Sequence, residues 1–79
     1  MKNTIMIVTI LGISVVPFDS ITITPKDVLV ELPIKSADHL LSVCEGEAEE
    51  LGIVKDIHGN PVKQVLINST IVEKLIYMD

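Results

Sequence analysis

A nearly unbroken apolar run, Thr4–Phe18, constrains the fold of this chain more than any other feature. Most of its side chains are β-branched isoleucine, valine or threonine, which favour a strand over a helix. Both alternating sets of positions are apolar, so we expect one long strand that is buried on both faces. Gly12 lies inside the run and predicts a bulge or a bend at that point.

The same run follows Lys2 and leaves a secretion signal as the alternative interpretation. A signal needs a cleavage site with small residues, and the segment Val15–Ser20 does not supply one. A membrane helix needs about 20 apolar residues, whereas this run is shorter and is interrupted by Pro17. We therefore expect a strand, no membrane span and, because a single unpaired cysteine suits a reducing compartment, a cytoplasmic protein.

The length of the chain limits its core. The 79 residues predict one small domain, 1–79, and domains of this size often need a disulfide, a metal or a partner subunit for stability. Cys44 is the only cysteine and the sequence contains no clustered metal ligands, so we expect no internal disulfide, metal or cofactor. Hydrophobic residues make up 48% of the chain and the mean hydropathy is +0.53. These values favour a homo-oligomer that buries the excess apolar surface.

The charge pattern argues against nucleic acid as a partner. The net charge is −5, all six basic residues are lysines, and the chain has neither arginine nor tryptophan. Arginine is the usual group for bidentate contacts to phosphate and guanine, and only Phe18 and Tyr77 could stack on a base. We expect no nucleic-acid binding.

The first block of the chain, up to Ile34, predicts an antiparallel meander of three strands. After the long first strand, a turn at Pro17–Ser20 precedes the alternating strand Ile21–Thr24. A second turn leads to the alternating strand Val28–Ile34, in which Pro33 marks an end or an edge. The short connections favour antiparallel pairing.

The remainder predicts a helix, a hairpin and a short tail. Ser36–Gly52 has a helical apolar stripe with Ser36 as its N-cap and Gly52 after its C-terminus. The strands Ile53–Ile57 and Val62–Ile67 flank a turn that contains Gly59. Thr70 and Glu73 match a capping box and predict a short C-terminal helix, with a strand across Ile71–Tyr77 as the alternative.

The expected class is α+β and β-rich. The order of three strands, a helix and two strands resembles that of an OB-fold barrel, and the resemblance is one of topology only, since no motif carries it. It implies a small OB-like barrel. An open sheet of the β-grasp kind is the alternative.

Few residues suggest chemistry, and none of the common catalytic motifs is present, so we expect no enzyme. Cys44 falls on the apolar stripe of the helix and is expected to be a buried hydrophobe. The densest charge cluster is a candidate partner-binding site and comprises Glu45, Glu47, Glu49 and Glu50. A weaker candidate for a small anionic ligand comprises Lys55, Asp56, His58 and Lys63. The same residues also have structural interpretations. The glutamates would keep the helix end soluble, and Asp56 and His58 would support the hairpin turn.

The leading functional hypothesis is therefore a non-enzymatic, homo-oligomeric accessory or inhibitor protein that binds another protein, of the compact kind found in phages and mobile elements. A protein that sequesters a nucleotide or another small molecule at a subunit interface is one alternative. A structural subunit of a larger assembly is the other.

Overall fold

The computed structural model describes residues 3–78. In chain order its elements are β1 (Asn3–Thr9), β2 (Gly12–Phe18), β3 (Ser20–Ile23), β4 (Asp27–Leu32), α1 (Ile34–Cys44), β5 (Ala48–Lys55), β6 (Pro61–Asn68), a 3₁₀ turn (Ser69–Ile71) and β7 (Val72–Met78). Strands β2-β1-β7 form a three-stranded antiparallel sheet, and strands β3-β4-β6-β5 form a four-stranded one.

One hydrophobic core joins the two sheets and the helix. It combines inward side chains of both sheets with Ala37, Leu40 and Cys44 of α1, which are fully buried. The β-rich, broadly α+β class is confirmed. The described strands form no closed barrel, and four strands rather than three precede the helix, so the expected OB-like order is not found.

The run Thr4–Phe18 forms a hairpin and not the single strand that was expected. β1 and β2 pair in register from Asn3 opposite Phe18 to Thr9 opposite Gly12. The Thr9 hydroxyl builds the turn, because it accepts hydrogen bonds from the N–H groups of Leu11 and Gly12 and donates one to the Gly12 carbonyl. A Cβ at Gly12 would lie 3.1 Å from Val43 Cγ1, so the close approach of α1 favours glycine there.

Removal of each of two hydroxyls in this hairpin should change the free energy of unfolding in opposite directions. Ser14 Oγ is buried and has no hydrogen-bond partner among the described residues, whereas the buried Thr9 hydroxyl is fully used. An unsatisfied buried polar group is unfavourable, so Ser14→Ala should raise the free energy of unfolding by about 1 kcal/mol. Thr9→Val should lower it by about 1–2 kcal/mol, because two N–H groups lose their acceptor. Urea denaturation of both variants checks this pair, and a destabilised Ser14→Ala would contradict it.

The helix is shorter than expected and begins earlier. It starts at Ile34 after Pro33, so Ser36 is not its N-cap. It ends at Cys44, and the C-cap Glu45 has a left-handed conformation with φ of 46°. The expected continuation to Gly52 is wrong, since β5 already begins at Ala48. Crowded glutamates at the negative end of the helix dipole and the pairing of β5 with β6 explain the early stop.

The hairpin between β5 and β6 is confirmed. Its turn contains Gly59 with φ of 83°, and the Asp56 carboxylate accepts hydrogen bonds from the N–H groups of His58 and Asn60. Asp56 therefore supports the turn, as the structural interpretation of this residue proposed.

The expected C-terminal helix is wrong, and the strand alternative is confirmed. Asn68, not Thr70, caps the short 3₁₀ turn by accepting from the Thr70 N–H. The following β7 pairs with β1 from Lys74 opposite Val8 to Met78 opposite Thr4. A helix this short is marginal alone, and its β-branched and aromatic side chains gain more by completing a sheet.

Candidate functional site

The outward face of the three-stranded sheet carries neighbouring apolar side chains on all three strands. One row across the sheet is Val15–Met6–Ile76, and the next row places Ile13 beside Val8. Met78 lies in a third row, opposite Thr4. We call this group the apolar face, and it comprises Met6, Val8, Ile13, Val15, Ile76 and Met78.

The apolar face is open to solvent in the single chain. Ile13 is 60% exposed, Val15 50%, Ile76 40% and Met78 38%. On the opposite side of the same strands, Ile5, Ile7 and Val16 are buried in the core. The expectation that both faces of the first apolar run are buried is therefore wrong for an isolated chain, because neither helix nor sheet of the described residues covers the outward face.

The electrostatics of the apolar face differ from those of the whole molecule. Lys74, in the row of Ile13 and Val8, is the one charged side chain among the described residues of these rows. The chain as a whole carries 11 acidic residues and a net charge of −5. An apolar surface without carboxylates can pack against another acidic protein, including a second copy, without repulsion between carboxylates.

The four glutamates of the candidate partner-binding site do not form one cluster. Glu45 is the C-cap of α1, and Glu47 lies in the connection to β5. Glu49 pairs with Leu66, whereas Glu50 lies 3.2 Å from the ammonium group of Lys63. Because successive strand residues point to opposite faces, Glu49 and Glu50 cannot present their carboxylates to one partner surface together.

Lys63 serves the fold rather than an open ligand site. Its Nζ donates to Asp38 of α1 at 2.8 Å and also contacts Glu50, and its side chain is largely buried. The hydrogen bond to Asp38, followed by that to Glu50, raises the pKa of Lys63 above its ordinary value. The lysine stays protonated at neutral pH and joins helix, β5 and β6.

The other three candidate ligand residues do meet. Lys55, Asp56 and His58 line a cleft of about 600 Å³ at the β5–β6 turn, together with Asp19 and Glu31. Three carboxylates face a single lysine there, so the charge of this cleft disfavours an anionic ligand. Cys44 is fully buried, and burial raises the pKa of its thiol.

Acid should weaken the β5–β6 turn. Hydrogen bonds from the backbone N–H groups of Asn60 and His58 hold the pKa of Asp56 below its ordinary 3.8. A depressed folded-state pKa contributes stability that is present above 3.8 and is lost as the pH falls through the lower folded value. Asp56→Asn keeps an acceptor but not the charge, so its stability deficit at neutral pH should shrink below pH 3.8. Thermal midpoints across this range test the effect, and a constant deficit would contradict it.

Comparisons of the chain with protein-family models, with curated proteins and with solved structures give no match. Within residues 3–78, no helix has the length and apolar character to cross a membrane. The same residues hold no group of three or more histidine, cysteine, aspartate or glutamate side chains that is placed to bind a metal ion.

Sequence reasoning missed the apolar face as a site, although the signal was present. Ile13 and Val15 alternate with Ser14 and Val16, so one set of positions had to lie opposite the core once the chain turned back at Gly12. The two-sided apolar pattern was attributed to burial within the chain. One of the two sets of positions, which includes Ile13 and Val15, is exposed instead.

Proposed function

We propose that this protein is a small, non-enzymatic accessory or inhibitor protein that acts as a homo-oligomer and binds another protein. In this proposal two copies pack through the apolar face, and the remaining surface meets the partner. The observation that carries the proposal is the exposure of four large apolar side chains, Ile13, Val15, Ile76 and Met78, on one continuous sheet face. The single buried cysteine favours a reducing compartment such as the cytoplasm.

A second copy is the occupant that fits the apolar face best. A twofold contact uses the same patch on both subunits. Each half-exposed residue of the apolar face is therefore buried in both copies. Complete burial of an isoleucine, valine or methionine side chain contributes about 1.5–3 kcal/mol, and roughly half of that remains to be gained at each of these positions. The face also lacks carboxylates in its described rows, which removes the main electrostatic obstacle for an acidic chain.

Analytical ultracentrifugation of the purified chain over a wide concentration range tests the association. We expect a discrete oligomer that dissociates on dilution and a melting temperature that rises with protein concentration, because association stabilises the folded state by mass action. A monomer at every concentration, with a constant melting temperature, would refute the homo-oligomer. Native mass spectrometry of protein isolated from its own host then shows whether a second protein is retained.

A further inference from the structure

Strand β5 leaves one side of the four-stranded sheet open. It pairs with β6 only, and no strand of residues 3–78 lies along its other side. An exposed edge presents unpaired N–H and C=O groups that can pair with another extended chain. At eight residues β5 equals the longest strand of the structure, so this edge is long enough to receive such a segment.

Apolar side chains along β5 and its turn add to this edge. Leu51, Ile53 and Val54 of β5 are exposed, and Ile57 in the turn is 95% exposed. Ile53 and Val54 are successive and point to opposite faces of the four-stranded sheet, and neither belongs to the apolar face of the three-stranded one. The register shift between Glu50 and Gly52 is a bulge at Leu51, and it divides the edge into two regular stretches, 48–50 and 52–55.

An acidic cleft lies at the start of the same strand. It has a volume of about 600 Å³ and is formed where the β3–β4 turn, the α1–β5 connection and the end of β6 meet. Asp27, Glu47 and Glu49 line it, against the single cation of Lys26. The excess of carboxylates and the size of the cleft suit the ammonium or guanidinium group of a partner's lysine or arginine.

We propose that the open edge of β5 receives an extended segment of the partner protein, in which a basic residue lies beside alternating apolar residues. The segment adds a strand to the four-stranded sheet through main-chain hydrogen bonds, its apolar side chains cover Leu51 and Ile53, and its basic side chain enters the acidic cleft. This inference rests on the proposed protein-binding function and specifies the chemistry of the partner. A second copy is the poorer occupant, since it brings the same excess of carboxylates to the edge.

Selection from a random peptide display library tests this inference. Enriched peptides should combine lysine or arginine with alternating β-branched or aromatic residues. Added to the ¹⁵N-labelled protein, a synthetic copy should shift the amide signals of β5 and of the cleft residues most strongly, and should slow hydrogen exchange along β5. The double variant Glu47→Gln/Glu49→Gln should weaken binding by about two- to tenfold, as expected for loss of two exposed ion pairs. Glu73→Gln on β7 is the matched control and should bind as the unmodified chain does.

Three results would overturn the inference. The first is a selection without basic, alternating peptides, and the second is a set of peptide-induced shifts centred on the apolar face. The third is protection, in the absence of peptide, of the β5 amides that point away from β6. Repeating the titration with Val15→Asp separates this inference from the proposed oligomer. If a monomeric Val15→Asp chain binds the peptide, the edge site is supported independently of the oligomer. If the unmodified chain is an oligomer but binds no such peptide, the proposed association stands and the edge site is refuted.

Discussion

Replacing Val15 with aspartate is expected to convert the proposed oligomer into monomers while leaving the fold intact. Val15 lies in the middle row of the apolar face, beside Met6, and is 50% exposed in the single chain. In a twofold contact both copies would bury the new carboxylate, and a buried, unpaired charge costs about 3–5 kcal/mol. The dissociation constant should therefore rise by at least about a hundredfold. Sedimentation velocity measures the change, and circular dichroism verifies that the monomer is folded.

Ile23→Asp provides the matched control for this experiment. Ile23 is 59% exposed, but it lies on β3 at the edge of the other sheet. The same charge placed there should leave the association constant nearly unchanged. If Val15→Asp and Ile23→Asp associate equally well, the apolar face is not the contact between copies.

Truncation of Leu40 to alanine is the change expected to damage the fold most. Leu40 is fully buried in the middle of α1, in the cluster that joins the helix to both sheets. A buried leucine-to-alanine change costs about 2–5 kcal/mol, since it removes apolar contacts and leaves a cavity. Domains of this size have a total stability of about 4–12 kcal/mol, at about 0.05–0.15 kcal/mol per residue. The variant should unfold at a much lower urea concentration.

Leu51→Ala is the corresponding surface change. Leu51 is 49% exposed on β5, so the same truncation there should alter the free energy of unfolding by no more than about 0.5 kcal/mol. Both measurements belong at one fixed protein concentration, because association would add to the apparent stability. Equal effects at the two positions would contradict the placement of α1 over the core.

Local patterns predicted the parts of the fold that local chemistry determines. The strand β4 and the turn at Gly59 were both predicted from the sequence. Burial on one face produces alternating apolar residues, and a positive φ favours glycine. The boundary between α1 and β5 could not be predicted from the sequence. Ala48 and Leu51 fit a helical stripe equally well, and only the pairing of β5 with β6 decides in favour of a strand.

The candidate sites also depend on strand pairing as well as on local sequence. The glutamates attracted attention as a run in the sequence, but strand geometry directs Glu50 to Lys63 and leaves Glu49 beside the acidic cleft. The apolar face depends on three segments that are distant in sequence, and Ile76 joins it only because β7 pairs with β1. No local pattern specifies that pairing, so the apolar face was the hardest surface to predict.

The pairing of β1 with β7 also governs when the molecule can become complete. Thr4 lies opposite Met78, so the central strand of the three-stranded sheet gains its second neighbour only after nearly the whole described chain has left the ribosome. Until then β1 has a free edge and an apolar surface, which is the condition under which nascent chains associate wrongly. Contacts between such distant residues also slow folding. Among the described residues, the apolar face is therefore complete only once β7 has paired with β1.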